Sequence, residues 1–243
     1  KRVVHAENAA GETLSTEYDR LLLCTGSNPF MLPIPGKDLQ GVIAYRDIAD
    51  TNAMIEAATT YKHALVIGGG LLGLEAANGL MRRGMTVSVV HVQPTLMERQ
   101  LDEVAGKLLQ KSLEERGLQF LMGAQTQALL KPADLEVWVA ERSAQVKEEP
   151  AQRAGDTEQN ALPLRLLLNA ATNAVPDLQI KLTASPERVC AVHFKDGRIV
   201  PADLVVMAVG IRPNVELAQS MRLHCDKGVV VSDTLQTITD ARI

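Results

Sequence analysis

A chain of 243 residues has room for one large domain or two small ones, and 46% hydrophobic with 22% charged residues exclude disorder throughout. Its 25 Lys and Arg against 29 Asp and Glu leave a net charge of -4, the wrong sign to gather a nucleic acid or an anionic membrane surface by field. Cys24, Cys190 and Cys225 share no metal-ligand or redox spacing, so neither a disulfide framework, a zinc knot nor a local redox pair is suggested, which fits a reducing, cytoplasmic setting. No apolar run reaches the roughly 18 residues that span a bilayer. The start at Lys1, with neither Met nor a signal pattern, reads as a cut made inside a longer polypeptide.

Residues 1–30 read as strand, turn, strand, the last strand (21–24) apolar on consecutive positions and so expected to be buried on both faces. Pro29, Pro33, Pro35 and Gly36 then mark a linker between about 30 and 42. A helical stretch follows at 46–60. Residues 64–67 form an apolar strand, 68–73 a glycine-rich turn, and 74–83 a helix with Leu74, Ala77 and Met81 on one face. Gly84 closes that helix and residues 86–90 make a β-branched strand, completing a β-α-β unit. The next helix spans 101–116, with Leu101, Val104, Ala105, Leu108 and Leu109 as its apolar stripe, and further strand is expected at 118–130. Residues 137–140 read as a short strand and 142–160 as a mobile surface segment, while 161–175 is apolar without a period that decides helix or strand. Strands return at 189–194 and 204–209, with a turn at 195–197 between them.

An internal repeat links the two ends. Asp19, Gly26 and Pro29 have the same spacings as Asp203, Gly210 and Pro213, with an apolar strand inside each copy. Strand-then-Gly turns are common enough to produce this by chance; read as real, it implies two related nucleotide-binding folds, the first present only as its tail.

Gly68-Gly69-Gly70-Leu71-Leu72-Gly73 fits GxGxxG directly after a strand and at the opening of a helix. In that context Gly68 permits the tight turn, Gly70 lets a pyrophosphate approach the backbone, and Gly73 allows helix and strand to pack closely. The helix N-terminus offers free N–H groups to the phosphates. A plain glycine turn is the competing reading. The residue after the second strand decides between NAD and NADP where it is acidic or cationic. Here it is His91, 23 residues after Gly68, which leaves NADH and NADPH both open. A solvent-facing histidine without a role is the alternative. Glu75, expected in the first helical turn, either stabilises the helix N-terminus or faces the nicotinamide side of the cleft. His5, His63, His193 and His224 form no ligand set, and no nucleophile elbow or Walker sequence occurs.

Four stretches resemble the pyridine nucleotide-disulfide oxidoreductases, and within them the flavoprotein part of NAD(P)H nitrite reductase large subunits. They are residues 18–27 (YDRLLLCTGS), 68–75 (GGGLLGLE), 96–102 (LMERQLD) and 208–214 (AVGIRPN). The likeness covers about residues 15–130 and 188–243. It implies an α/β chain: a Rossmann-like NAD(P)-binding domain with a β-meander at 43–214, a remnant of a second, FAD-binding Rossmann-like domain with its linker at 1–42, and a return segment toward that domain at 215–243.

It also implies nucleotide contacts from Gly68, Gly69, Gly70, Leu71, Leu72, Gly73, Glu75 and His91, with Val209 and Gly210 near the nicotinamide and Thr25 and Gly26 on the flavin side. Family members hold FAD through a first glycine motif and a Gly-Asp or Gly-Glu element after the segment that residues 239–243 resemble; neither is in this sequence, so the FAD site is incomplete here. Siroheme and iron-sulfur ligands are expected only downstream. Leu71 and Leu72 stand where many relatives carry an aromatic, which argues against a ring gating the nicotinamide pocket. Residues 131–187 replace a short hairpin turn of the family.

The function implied is transfer of hydride from NAD(P)H to FAD for reduction of nitrite to ammonia, with catalysis by this piece alone not expected. Reductases for ferredoxin, rubredoxin or oxygen are the same-class alternative, and a non-catalytic nucleotide-sensing or scaffold module with 131–187 as partner surface is the other. The expected partners are nucleotide cofactors, with no nucleic acid or membrane; a homodimer is compatible with the family.

Overall fold

Consecutive apolar residues at 64–67, 87–90 and 204–207 call for strands covered on both faces. The computed structural model, which describes residues 2–148 and 185–243, sets all three side by side. The chain divides into two units, Pro29–Gly210 and Lys1–Asn28 with Ile211–Ile243.

In the larger unit β4 (Val42–Ala44), β5 (His63–Ile67), β6 (Thr86–His91), β7 (Gln119–Met122) and β11 (Leu204–Met207) form a parallel sheet in the order β4-β11-β5-β6-β7. Alternation along each strand sends Val66, Val87, Val89, Leu204 and Val206 to one face. There they pack with Met54 of α1 (Ile48–Thr60), with Leu74, Ala76, Ala77 and Leu80 of α2 (Leu71–Met81), and with Leu109 and Leu113 of α3 (Glu103–Glu114). The other face, with Leu65, Ile67, Val90, Val205 and Met207, packs against Leu129, Val192 and Phe194. Those three belong to β8 (Thr126–Leu130) and β9 (Ala191–Phe194), which with β10 (Ile199–Pro201) make an antiparallel sheet ordered β10-β9-β8. The α/β reading with a parallel sheet is borne out.

The smaller unit contains the hairpin β1 (Val3–Glu7) with β2 (Thr13–Glu17) and a short helix, α5 (Glu216–Ser220). At its edge, β3 (Ser27–Pro29) pairs with β12 (Ile211–Pro213). These are the two Gly-to-Pro segments of the internal repeat, and the chain passes between units within them.

Three local expectations are corrected. Residues 21–24 form no strand: Leu22 is 83% exposed, and no described strand lies beside the segment to supply ladder partners and cover. On α3, Val104 and Leu108 face outward, and the side turned to the sheet carries Gly106, Leu109 and Leu113. Gly106 decides this rotation, because a Cβ there would sit 2.9 Å from the Leu96 carbonyl. The strand expected at 137–140 is part of α4 (Pro132–Glu148). Pro132 suits the first helical position, and Asp134 accepts from the Lys131 N–H at 3.3 Å. Leu135, Trp138 and Val139, at i, i+3 and i+4, pack on Leu130, Ala191 and Ile199, and Trp138 meets His193 edge-on at 5.8 Å. Beyond Glu148, the segment expected to be mobile up to 160 and the undecided one at 161–175 lie outside the described residues.

This docking separates the helix from the strand in measurable terms. Leu135→Ala should cost about 2–4 kcal/mol of unfolding free energy, as a buried Leu does, while Val137→Ala, on the exposed side, should cost less than about 0.5 kcal/mol, both read by urea denaturation.

Candidate dinucleotide site

Strand β5 ends at Ile67 and α2 begins at Leu71, so three glycines make the entire connection. Gly68 has φ +122°, and its missing side chain is required twice over: a Cβ would stand 2.3 Å from the Ala208 carbonyl oxygen at the end of β11. At Gly73, inside the first turn of α2, a Cβ would stand 1.9 Å from the Gly68 carbonyl oxygen. Gly69 is walled by the His91 ring and Leu96, each 2.7 Å from a Cβ placed there. Gly70 differs from all three, since a Cβ on it would meet nothing within 4 Å and its backbone is in an ordinary extended conformation. The protein itself gives no packing reason for glycine at this position.

Gly70 is also the N-cap of α2 and lends no side chain to the free N–H groups of the first turn. The positive end of the helix and open N–H donors therefore meet at the one glycine of this turn with free space in front of it, an arrangement suited to a phosphate. The residues fit a dinucleotide pyrophosphate. Because the helix starts at Leu71 and not near residue 74, Glu75 belongs to the second turn, and no acidic residue occupies the first. Helix-dipole stabilisation falls off within the first turn, so the capping reading of Glu75 is replaced. Its exposed carboxylate lies near Tyr45, just past β4; burial first, and then the Glu75 charge, hold the phenol above its ordinary pKa.

His91 at the end of β6 is buried, not solvent-facing. Its Nδ1 accepts the Gly69 N–H at 3.1 Å, and its Nε2 lies 2.9 Å from Glu98 Oε2. With Nδ1 acting as acceptor, the ring proton sits on Nε2 and is donated to Glu98. Burial by itself would raise the Glu98 carboxyl, but the hydrogen bond from His91, its own backbone N–H and the nearby Arg99 charge carry it below the usual carboxylate value. A carboxylate so lowered stabilises the fold fully above the ordinary carboxylate pKa and loses that contribution as pH falls through its own. The turn is fastened a second time by the Met97 N–H, which donates to the Gly69 carbonyl at 3.1 Å, with Met97 at φ +53°. The spacing of residues does not by itself mark Glu98 or Met97. Their signal was an acidic residue close beyond a strand that ends in His where an acid is usual.

Val209 and Gly210 follow β11, whose end abuts Gly68, and the Gly210 carbonyl accepts from the Phe30 N–H at 2.9 Å. Thr25 and Gly26 lie in the smaller unit: the Thr25 hydroxyl donates to the Asn214 carbonyl at 2.6 Å, and the Asn214 N–H donates to the Gly26 carbonyl at 3.0 Å.

The sequence profile of the pyridine nucleotide-disulphide oxidoreductases matches residues 1–151 and 136–243. The chain belongs to this family. Among curated relatives, it is 43% identical over 220 residues to a nitrite reductase [NAD(P)H] of Bacillus subtilis, covering 90% of this chain and 21% of that protein. It is 29% identical to the nitrite reductase (NADH) large subunit of Escherichia coli, over 98% of this chain and 22% of the relative. It is also 30% identical to an NADH oxidase of Methanocaldococcus jannaschii, over 93% of this chain and 39% of the relative. The chain thus spans about a fifth of the length of these nitrite reductases. Of the solved structures, a ferredoxin reductase from Rhodopseudomonas palustris superposes with a TM-score of 0.68 at 24% identity, over 96% of this chain and 44% of that one. No described helix is long and apolar enough to cross a membrane.

The unequal demands on the glycines can be measured. Gly73→Ala should destabilise the protein by about 1–3 kcal/mol through overpacking against the Gly68 carbonyl. Gly70→Ala should cost no more than about 1 kcal/mol, the difference between these residues at an N-cap, in the same thermal or denaturant experiment.

Proposed function

We propose that this chain is the nicotinamide-nucleotide module of an NAD(P)H-dependent flavoprotein reductase, acting in reduction of nitrite to ammonia. The observation that carries the reading is Gly70, a glycine with open space before it, at the uncapped N-terminus of α2. Gly68, Gly69, Gly70, Leu71, Leu72 and Gly73 form the pyrophosphate cradle: Gly68 and Gly73 bring strand and helix together, and the first-turn N–H groups point at the phosphates. Glu75, Val209 and Gly210 border the nicotinamide, at the carboxyl ends of the parallel strands where open α/β sheets bind ligands. His91 holds the turn from beneath and borders the adenosine ribose side. Thr25 and Gly26 are assigned to the flavin side by the family resemblance.

Bound NAD(P)H would supply the hydride, and the work of these residues is to hold and orient the nucleotide. The glycine cradle of the described residues accounts for one dinucleotide. FAD is assigned to the family fold as a whole, and siroheme and iron-sulfur centres to the rest of the protein. Nitrite as acceptor rests on the 43% relative and on the LMERQLD run that sutures the glycine turn. The NADH oxidase relative favours oxygen as the second reading.

Gly70→Val in the full-length protein tests the cradle. It should raise the Kd of the reduced nucleotide by about tenfold or more while leaving the melting temperature within a few degrees of the native value. Unchanged affinity would refute the assignment. Nitrite-dependent against oxygen-dependent oxidation of the reduced nucleotide, measured on the unsubstituted protein, separates the two acceptors.

A further inference from the structure

A nucleotide seated on the Gly68–Gly73 turn places its adenosine ribose beyond the end of β6, where an acid commonly accepts the ribose hydroxyls. Here that position is His91, and both its ring nitrogens are engaged inside the protein, by the Gly69 N–H and by Glu98. The ring has no lone pair or proton left to offer a hydroxyl. The carboxylate it holds is another matter. Glu98 lies one imidazole width from the glycine turn, and its side chain is 35% exposed. His91 engages Oε2, and the carboxylate also accepts from its own backbone N–H, which leaves lone pairs on this part-exposed group for an incoming hydroxyl. Its backbone is held too, because the preceding residue, Met97, donates its N–H to Gly69 at 3.1 Å and the Leu101 N–H returns to the Met97 carbonyl at 2.9 Å. An acid reached 30 residues after Gly68, through a histidine, thus stands beside the turn where a directly strand-borne acid is usual.

We propose that Glu98 is the specificity-determining residue of the nucleotide site: its carboxylate accepts the hydroxyls of the adenosine ribose, with His91 as the positioning residue that ties it to the glycine turn, and the site therefore prefers NADH to NADPH. The inference rests on the dinucleotide reading above. A 2′-phosphate would bring a dianion against this carboxylate, so the same group that binds the diol repels the phosphorylated nucleotide. Arg99, the next residue and exposed, is the nearby cation that a 2′-phosphate would need. It is not fixed by any bond to the turn comparable to that of Glu98.

Glu98→Gln in the full-length protein is the informative variant. An amide oxygen can still accept from His91 Nε2, so the turn stays fastened while the charge and the strength of the acceptor are lost. Calorimetric titration with NADH and NADPH, on native and variant protein in parallel at one salt concentration and pH, provides a readout independent of turnover. The native protein should bind NADH more tightly. The variant should lose about tenfold or more in NADH affinity, as expected for a hydrogen bond to a charged group, with NADPH affinity unchanged or improved. Equal losses for both nucleotides would make Glu98 only a support of the turn and overturn the proposal, as would no loss for either or tighter native binding of NADPH. Binding of neither nucleotide by the native protein would instead overturn the dinucleotide reading itself, and this proposal with it.

Discussion

Two backbone approaches that leave no room for a Cβ govern the rest of this molecule. The Ala208 carbonyl stands where Gly68 would carry a side chain, and the Gly68 carbonyl stands where Gly73 would. As a result β11, β5 and α2 meet backbone to backbone, and the helix can begin only three residues after the strand ends. A looser connection would move the N-terminus of α2 away from the carboxyl edge of the sheet. The tight one points the free N–H groups and positive end of the helix at the place where ligands of open α/β sheets bind.

The consequences spread outward through hydrogen bonds and packing. Gly69, caught between the other two, has its N–H tied to His91 and its carbonyl to Met97, so the turn is held from the end of β6 and from the segment that follows it. Leu96, fully buried beside Gly69, and Gly106, pressed on the Leu96 carbonyl, carry the same constraint into the packing of α3. The core beneath gives this frame its rigidity, since the central strands are covered by helices on one face and by the antiparallel sheet on the other. A site built on such elements keeps its donors in place before a ligand arrives, and preorganised groups add more to affinity than groups that must be ordered on binding.

The central sheet and the site turn were legible because their physics is local. Val87, Val89, Leu204 and Val206 announce strands buried on both faces, and the glycine spacing announces the turn. What could not be read was tertiary. Residues 21–24 look like a core strand, but an apolar run becomes one only where neighbours pair with it. Val104 and Leu108 look like a core stripe, yet the space available at Gly106 sets which side of α3 turns inward. The start of helix α4 resembles a strand in sequence, because Val137 to Ala140 alone offer a short apolar run of either kind, although Leu135, Trp138 and Val139 carry helical spacing behind Pro132. In the site, His91 was visible and its burial was not: a ring nitrogen directed at the Gly69 N–H depends on strand register, which no single residue encodes. Glu98 was hidden for the same reason.

The most direct test of the cradle is residue-resolved. Backbone amide resonances of the nitrogen-15-labelled protein, followed during addition of NADH, report which N–H groups meet the nucleotide. A nucleotide seated on the cradle should give saturable shifts concentrated at Gly70, Leu71, Leu72 and Gly73, with the amides of α4 undisturbed. Saturable shifts confined to another part of the protein, or none at millimolar nucleotide, would contradict that seating.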